Sequence, residues 1–378
     1  MTISIDTSGY ATTIFTALLV ALVVFSMRRV RAKDFFSVAT TQELKGFAVL
    51  GVIFSHIGYF LVSDHSFLFP LTIMAGVCVN IFLFLSGYGL TISSSKKDET
   101  VGQFYKNRLL KLMIPFWLVL GIFLVADFFV LGISYSWSMV VPALFGIFTS
   151  ADIYHDLNSP LWYFTLILFY YVLFPFFFSK KRPWVTAVLL FVASSAVLLA
   201  QPAWLGNVID LYAVHCVAFP LGIVVAWLRT DVRVAGSSWV RRWDTILHGT
   251  QSTFKDRVQY YGIIAFLVWC IAYTAIHSGI GSGVIIEQAV SLFTMSALLL
   301  LFAFKKVESR LLYLFGLYSY ELYLLHWPIM YRYDFLYTRA PGWLATLLYL
   351  MLFVAIGWVV RQSVNFLTAS NNHHIPSR

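Results

Sequence analysis

Lys45 and His56 stand in one apolar run, residues 44–63, separated by ten residues. Eleven helical steps of about 100° return the chain to nearly the same face, about 16 Å further along. One face therefore carries a cation low and an imidazole, a group suited to proton transfer, high. An ionisable side chain inside a membrane helix is costly and normally faces protein or a wet cavity, which makes both residues candidates for chemistry. The bland alternatives are that Lys45 snorkels to the headgroups and that His56 only hydrogen-bonds a neighbouring helix. A second run, residues 311–330, carries Glu321 and His326. Five steps turn these two about 140° apart, so they do not share a face. Both can act only if this helix is surrounded by protein or borders a broad cavity. Otherwise Glu321 pairs with a neighbouring helix and His326 sits in an aromatic belt beside Trp327.

Asp210 and His215 repeat the same spacing in another run, but an acid at a helix end is cheap, and a structural role is favoured there. In FYKNRLLKLMIPFW, Arg108 and Lys111 are three apart and present two cations on one face. With Lys106 nearby they suit the phosphates of a nucleotide-like donor, the alternative being plain membrane anchoring. The largest loop on the expected outer side, residues 134–160, holds Trp137, Asp152, His155, Asp156 and Asn158. Trp162 and Tyr163, just beyond it, suit either stacking on a sugar ring or interfacial anchoring. Ser86 and Gly87 suit close helix packing or a backbone break near the site rather than nucleophilic chemistry.

The elements that must position these residues are membrane helices. The chain of 378 residues is 60% hydrophobic and 11% charged, whereas soluble domains are about a quarter charged. Long unbroken apolar runs argue against an outer-membrane barrel. Eleven runs are apparent: 10–27, 44–63, 68–93, 112–133, 161–179, 184–200, 209–228, 258–277, 285–304, 311–330 and 342–366. When these alternate strictly across a bilayer, only Arg332 and Arg339 of the 26 Lys plus Arg fall outside, as the positive-inside rule requires. The expectation is an all-α polytopic bundle with its N-terminus outside and its C-terminus inside. The net charge of +9 is thereby assigned to topology and not to nucleic acid. The basic charges follow the first run instead of preceding it, which is the wrong polarity for a cleaved signal peptide. The cytoplasmic loop 229–257 contains WVRRWDTILH, which suits a short interfacial helix. Cys78, Cys216 and Cys270 all fall in apolar runs and show neither a disulfide framework nor metal-ligand spacing.

Five pieces taken in order resemble the acyltransferase 3 family of integral membrane acyltransferases. They are the Lys45 and His56 spacing, NIFLFLSGYGLTIS, the RLLKLMIPFW segment with Arg108, Lys111 and Pro115, SPLWYFTLILFYYVLFP with Trp162, and SYELYLLHWP with Glu321 and His326. The resemblance spans residues 44 to 330. It departs from the family pattern in having lysine where arginine is usual at both 45 and 111, which loses bidentate phosphate recognition. A helix precedes the family core, and no Gly-Asp-Ser motif or hydrolase-like domain follows it in this sequence.

The resemblance implies a ten-helix bundle with one extra N-terminal helix. The expected organisation is residues 1–40 as that helix and a basic linker, 41–368 as the membrane acyltransferase domain, and 369–378 as a cytoplasmic tail. It further implies transfer of an acyl group, most commonly acetyl, from a cytoplasmic acyl-CoA to a hydroxyl of an extracytoplasmic or lipid-linked glycan. In that reading His56 is the catalytic general base, with Glu321 or His326 orienting it, and a covalent acyl-histidine remains an alternative. Lys45, Arg108 and Lys111 face the donor, and His155, Asn158 and Trp162 lie towards the acceptor. Acyl-CoA is a co-substrate, and no tightly bound cofactor or metal is expected. The expected partners are the donor, a carbohydrate acceptor and membrane lipids, with homo-oligomerisation left open and nucleic acid not expected. A multi-pass protein of a cell membrane, bacterial by the habit of the family, is the expected location. An exporter or flippase of a polysaccharide or its lipid-linked precursor uses the same residues and is the competing reading.

Overall fold

A computed structural model describes residues 3–5, 7–29, 36–61, 65–152, 155–231, 237–238 and 253–370. Arg31 and Lys33 of the basic linker, the WVRRWDTILH segment and residues 371–378 of the tail lie outside the described residues. The helices are α1 (Ser8–Phe25), α2 (Val38–Phe60), α3 (Ala75–Lys96), α4 (Val101–Leu131), α5 (Trp137–Leu144), α6 (Trp162–Phe177) and α7 (Pro183–Ala200). They continue with α8 (Ile209–His215), α9 (Ala218–Thr230), α10 (Phe254–Ile276), α11 (Val284–Phe304), α12 (Arg310–Leu317), α13 (Ser319–Arg332) and α14 (Gly342–Ser370).

Nine helical segments among the described residues are long and apolar enough to cross a membrane, counting Ala203–Thr230 as one. The chain is thus an all-α, multi-pass membrane bundle. The two expected runs absent from those nine are 44–63 and 311–330, the pair that carries the ionisable residues. In α2 the polar residues Thr40, Thr41, Gln42, Glu43, Lys45, Ser55 and His56 dilute the apolar character. The 311–330 run is not one helix: it breaks at Tyr318 (φ −105°, ψ 12°) into α12 and α13. A broken helix at membrane depth is tolerated where the freed carbonyl finds a partner. Here the Arg361 guanidinium of α14 donates to the Leu317 carbonyl at 2.6 Å.

Among the described residues, the main departure from helix is a small antiparallel ladder. β1 (Met27–Arg29) pairs with β2 (Val307–Ser309), with Arg28 opposite Glu308 in a 3.0 Å ion pair. Beside it, Lys305 meets the fully buried Glu43 at 2.6 Å, and the Ser309 N–H donates to the same Glu43 oxygen. Burial draws the Lys305 ammonium below its ordinary pKa, against the opposing pull of the Glu43 carboxylate.

α2 is the central helix: every residue from Ala48 through Ser55 is buried. It packs against α12 backbone to backbone. A Cβ on Gly46 would fall 1.9 Å from the Leu312 carbonyl oxygen, and one on Gly316 would fall 1.8 Å from that of Gln42. α3 and α9 meet in the same way through Gly87 and Gly222, whose Cβ atoms would lie 2.2 and 2.1 Å from the carbonyl oxygens of Phe219 and Phe84. Small residues are what permit helices without intervening side chains to approach so closely in a membrane. Proline interrupts α4 at Pro115 and α6 at Pro175. In each case a tyrosine donates to the carbonyl three residues earlier, Tyr320 to Leu112 and Tyr105 to Val172, both at 2.7 Å.

At the opposite end of the bundle from the ladder, Arg332 pairs with the buried Asp127 of α4. Tyr135 and Tyr333 donate to the same carboxylate at 2.7 and 2.8 Å. The Arg332 guanidinium also reaches the carbonyls of Asp156 and Leu157. This arginine, one of the two that fall outside in the expected topology, is a buried structural cation.

Candidate active site

α2 and α13 bring His56 and His326 together. His56 Nδ1 lies 2.7 Å from His326 Nε2. The ring planes are 14° apart with centroids 4.9 Å apart, a separation that an edge-to-edge hydrogen bond between nearly coplanar rings accounts for. His326 is fully buried, and its Nδ1 lies 3.0 and 2.9 Å from the carbonyl oxygens of Leu322 and Tyr323. A carbonyl only accepts, so Nδ1 of His326 carries a proton. Neutral His326 therefore offers a lone pair at Nε2, which accepts from the Nδ1–H of His56. The remaining nitrogen of His56, Nε2, is left unprotonated. Trp327 meets His56 edge-on, with centroids 5.0 Å apart and planes at 90°.

His56 lines a cavity of about 300 Å³ together with Tyr59, Trp162, His215, Glu287 and Tyr323. Its volume is at the small end of the range for small-molecule sites, about 300–1,000 Å³. Tyr323 is held by donation of its hydroxyl to the Pro160 carbonyl at 2.7 Å. Trp162 starts α6 on the short turn Ser159–Leu161, and its ring lies 20° from that of His215 with centroids 5.6 Å apart.

Of the residues singled out from sequence, His56, Trp162, Tyr163 and His215 line one cavity, and His326 joins them through its bond to His56. Glu321 does not join them: it faces α14, where a Cβ on Gly357 would stand 3.5 Å from its own Cβ. The turn of about 140° between Glu321 and His326 separates them onto different neighbours. Asn158 is buried away from the cavity, its amide donating to the Leu324 carbonyl at 3.1 Å. His155 is exposed, bonded to Asp152 at 3.2 Å, and borders a separate, more open hollow of about 730 Å³ with Asp156, Tyr135 and Arg332. Burial raises the Asp156 carboxyl above its ordinary pKa, against hydrogen bonds from Ser150 and the Asp152 backbone. Lys45, Arg108 and Lys111 lie outside the cavity: Lys45 is half-buried on α2, Lys111 is exposed, and Arg108 donates to Ser93.

Sequence reasoning passed over Glu287, Tyr59, Asn80 and Ser291. Asn80 and Ser291 are fully or nearly fully buried polar residues in otherwise apolar helices, and they bond each other at 2.8 Å. A polar residue at that depth was the available signal. His215, for which spacing favoured a structural role, lines the cavity.

Comparison with curated proteins and with solved structures gives no match. The acyltransferase 3 family model, described as an acyltransferase domain, matches residues 44–362 and so takes in both His56 and His326 while leaving α1 outside. With most of its length inside that match, the chain belongs to the acyltransferase 3 family.

Proposed function

We propose that this membrane acyltransferase moves an acyl group, acetyl in the simplest case, from a cytoplasmic acyl-CoA to a hydroxyl of an extracytoplasmic or lipid-linked glycan. The observation that carries the reading is the His56 to His326 hydrogen bond at the wall of the cavity. It leaves His56 Nε2 as an oriented base facing a ligand-sized space. The acceptor hydroxyl gives its proton to Nε2 as its oxygen attacks the thioester carbonyl. The new ester C–O bond forms, the C–S bond breaks, and the proton on His56 passes to the departing thiolate of coenzyme A. During this transfer His326 Nε2 holds the His56 Nδ1–H and spreads the positive charge that His56 acquires. Positioned proton transfer of this kind contributes about 10²–10⁴-fold in rate.

The donor enters from the end of the bundle that carries Lys45, Arg108 and Lys111, where these cations meet its phosphates. Lys45 makes no ion pair or hydrogen bond among the described residues and is free to do so. It lies about 16 Å below His56 along α2, a span that an extended pantetheine arm covers. The acceptor enters from the other end, past Trp162. Inverted membrane vesicles given labelled acetyl-CoA test the reading at matched protein levels. Label should pass into a base-labile, glycan-containing fraction with wild type and drop by at least about 100-fold with His56→Ala. Equal labelling with His56→Ala and His56→Gln would sink the mechanism, and no transfer from any acyl-CoA would favour glycan export.

A further inference from the structure

A second imidazole faces the same cavity and takes no part in the His56 to His326 pair. His215, the last residue of α8, is 3% exposed, and its Nδ1 lies 2.8 Å from Asn80 Oδ1 of α3. The Asn80 amide nitrogen in turn donates to Ser291 Oγ of α11 at 2.8 Å. An amide oxygen only accepts, so Nδ1 of His215 carries the proton and Nε2 presents a lone pair. That nitrogen has no partner among the described residues. Gly76, also in the cavity wall, leaves this edge of the ring uncovered: a Cβ there would stand 3.7 Å from His215 Cε1. Trp162 fixes the plane of the ring from one side.

The cavity therefore holds two imidazole nitrogens that accept hydrogen bonds, supplied by different helices and each locked in one tautomer by a buried partner. One acceptor is enough to activate an alcohol. Two at fixed positions register a polyol, which presents several hydroxyls of similar reactivity. We propose that His215 is the specificity-determining residue for the acceptor: its Nε2 accepts a hydrogen bond from a second sugar hydroxyl and thereby selects which neighbouring hydroxyl is acylated at His56. Asn80 and Ser291 are positioning residues that act through His215. The inference rests on the acyl-transfer reading given above, and it narrows the acceptor to a sugar with a free hydroxyl beside or near the reacting one.

The test uses the full chain in inverted vesicles with labelled acetyl-CoA, followed by nuclear magnetic resonance of the released glycan to locate the ester. His215→Phe keeps a ring beside Trp162 but removes the acceptor, and His215→Gln restores an acceptor at a similar reach. The Phe variant should transfer about tenfold more slowly and distribute the ester over two or more hydroxyls, whereas the Gln variant keeps the wild-type position. A Phe variant that is active and esterifies one unchanged position overturns the inference, whatever its rate, because a merely structural role would slow transfer without moving the ester. Should the Phe variant fail to accumulate, Asn80→Ala leaves the imidazole in place but frees its tautomer, and it must also broaden the ester position. A single position in that variant is equally fatal. If wild type itself shows no His56-dependent label, the acyl-transfer reading fails and takes this inference with it.

Discussion

The two histidines of the site differ in what can be removed without losing the other. His326 is anchored by two backbone carbonyls of its own helix, so its orientation does not depend on His56. His56 takes its tautomer from His326. His326→Ala should therefore leave His56 in place but let its Nδ1 and Nε2 share the proton, so that the base is missing for part of the time and the developing charge goes unshared. Transfer from acetyl-CoA should fall by about 100-fold, with the donor KM unchanged, because Lys45, Arg108 and Lys111, the cations proposed to meet the donor, are left in place. A kcat equal to that of wild type would show that the tautomer is set by something else. Both histidines were legible in the sequence as ionisable groups inside apolar runs, and the turn of about 140° between Glu321 and His326 already placed those two on different faces. The meeting of His326 with His56 was not legible, since it joins residues 270 apart in the chain. The His215 to Asn80 bond was hidden for the same reason, spanning 135 residues. Spacing within one helix says which residues share a face and nothing about which face of another helix they meet.

The helices themselves were legible as apolar runs, and their joints were not. The 311–330 run reads as one span because leucine and tyrosine continue through it, yet the chain breaks at Tyr318. The break depends on a distant residue, Arg361, supplying the hydrogen bond that the helix gives up. It lets α12 lie with Gly316 against the backbone of Gln42 while α13 turns His326 towards α2. Gly316→Ala places a Cβ 1.8 Å from the Gln42 carbonyl oxygen and must push α12 from α2. Overpacking of this kind costs about 1–3 kcal/mol or more. Gly121→Ala in α4 is the matched control, because a Cβ there meets nothing within 4 Å. In detergent, thermal unfolding followed by size-exclusion chromatography should show a lower midpoint for Gly316→Ala and an unchanged or slightly raised one for Gly121→Ala, alanine being the better helix former by about 1 kcal/mol. Equal midpoints would mean that the two helices are not in backbone contact.

Across the whole molecule, charge is sorted by end. The ladder end carries Arg28, Arg29, Lys305 and Arg310, and the Lys96, Lys97 and Lys180–Arg182 segments belong with it by helix order. At the other end stand only Arg332, which is buried against Asp127 and so carries no topological weight, and the exposed Arg339 among the described lysines and arginines. A bilayer with an inside-positive preference should then hold the ladder end in the cytoplasm, with the cavity mouth outside. The three native cysteines are all buried, so a single introduced cysteine reports its own location against a quiet background. Lys97 is exposed just after α3, and Ser282 is exposed in the turn between α10 and α11. A membrane-impermeant maleimide should label Ser282→Cys in intact spheroplasts and spare Lys97→Cys, with the two responses exchanged in inverted vesicles. The opposite result would put the cavity mouth and the donor on the same side of the membrane. Acyl-CoA would then reach His56 past Trp162, Lys45 would lose its part in donor binding, and no acyl group would need to cross the bilayer. On the proposed reading, the expected result requires the acyl group to pass along α2 between Lys45 and His56, the two residues that share one helical face.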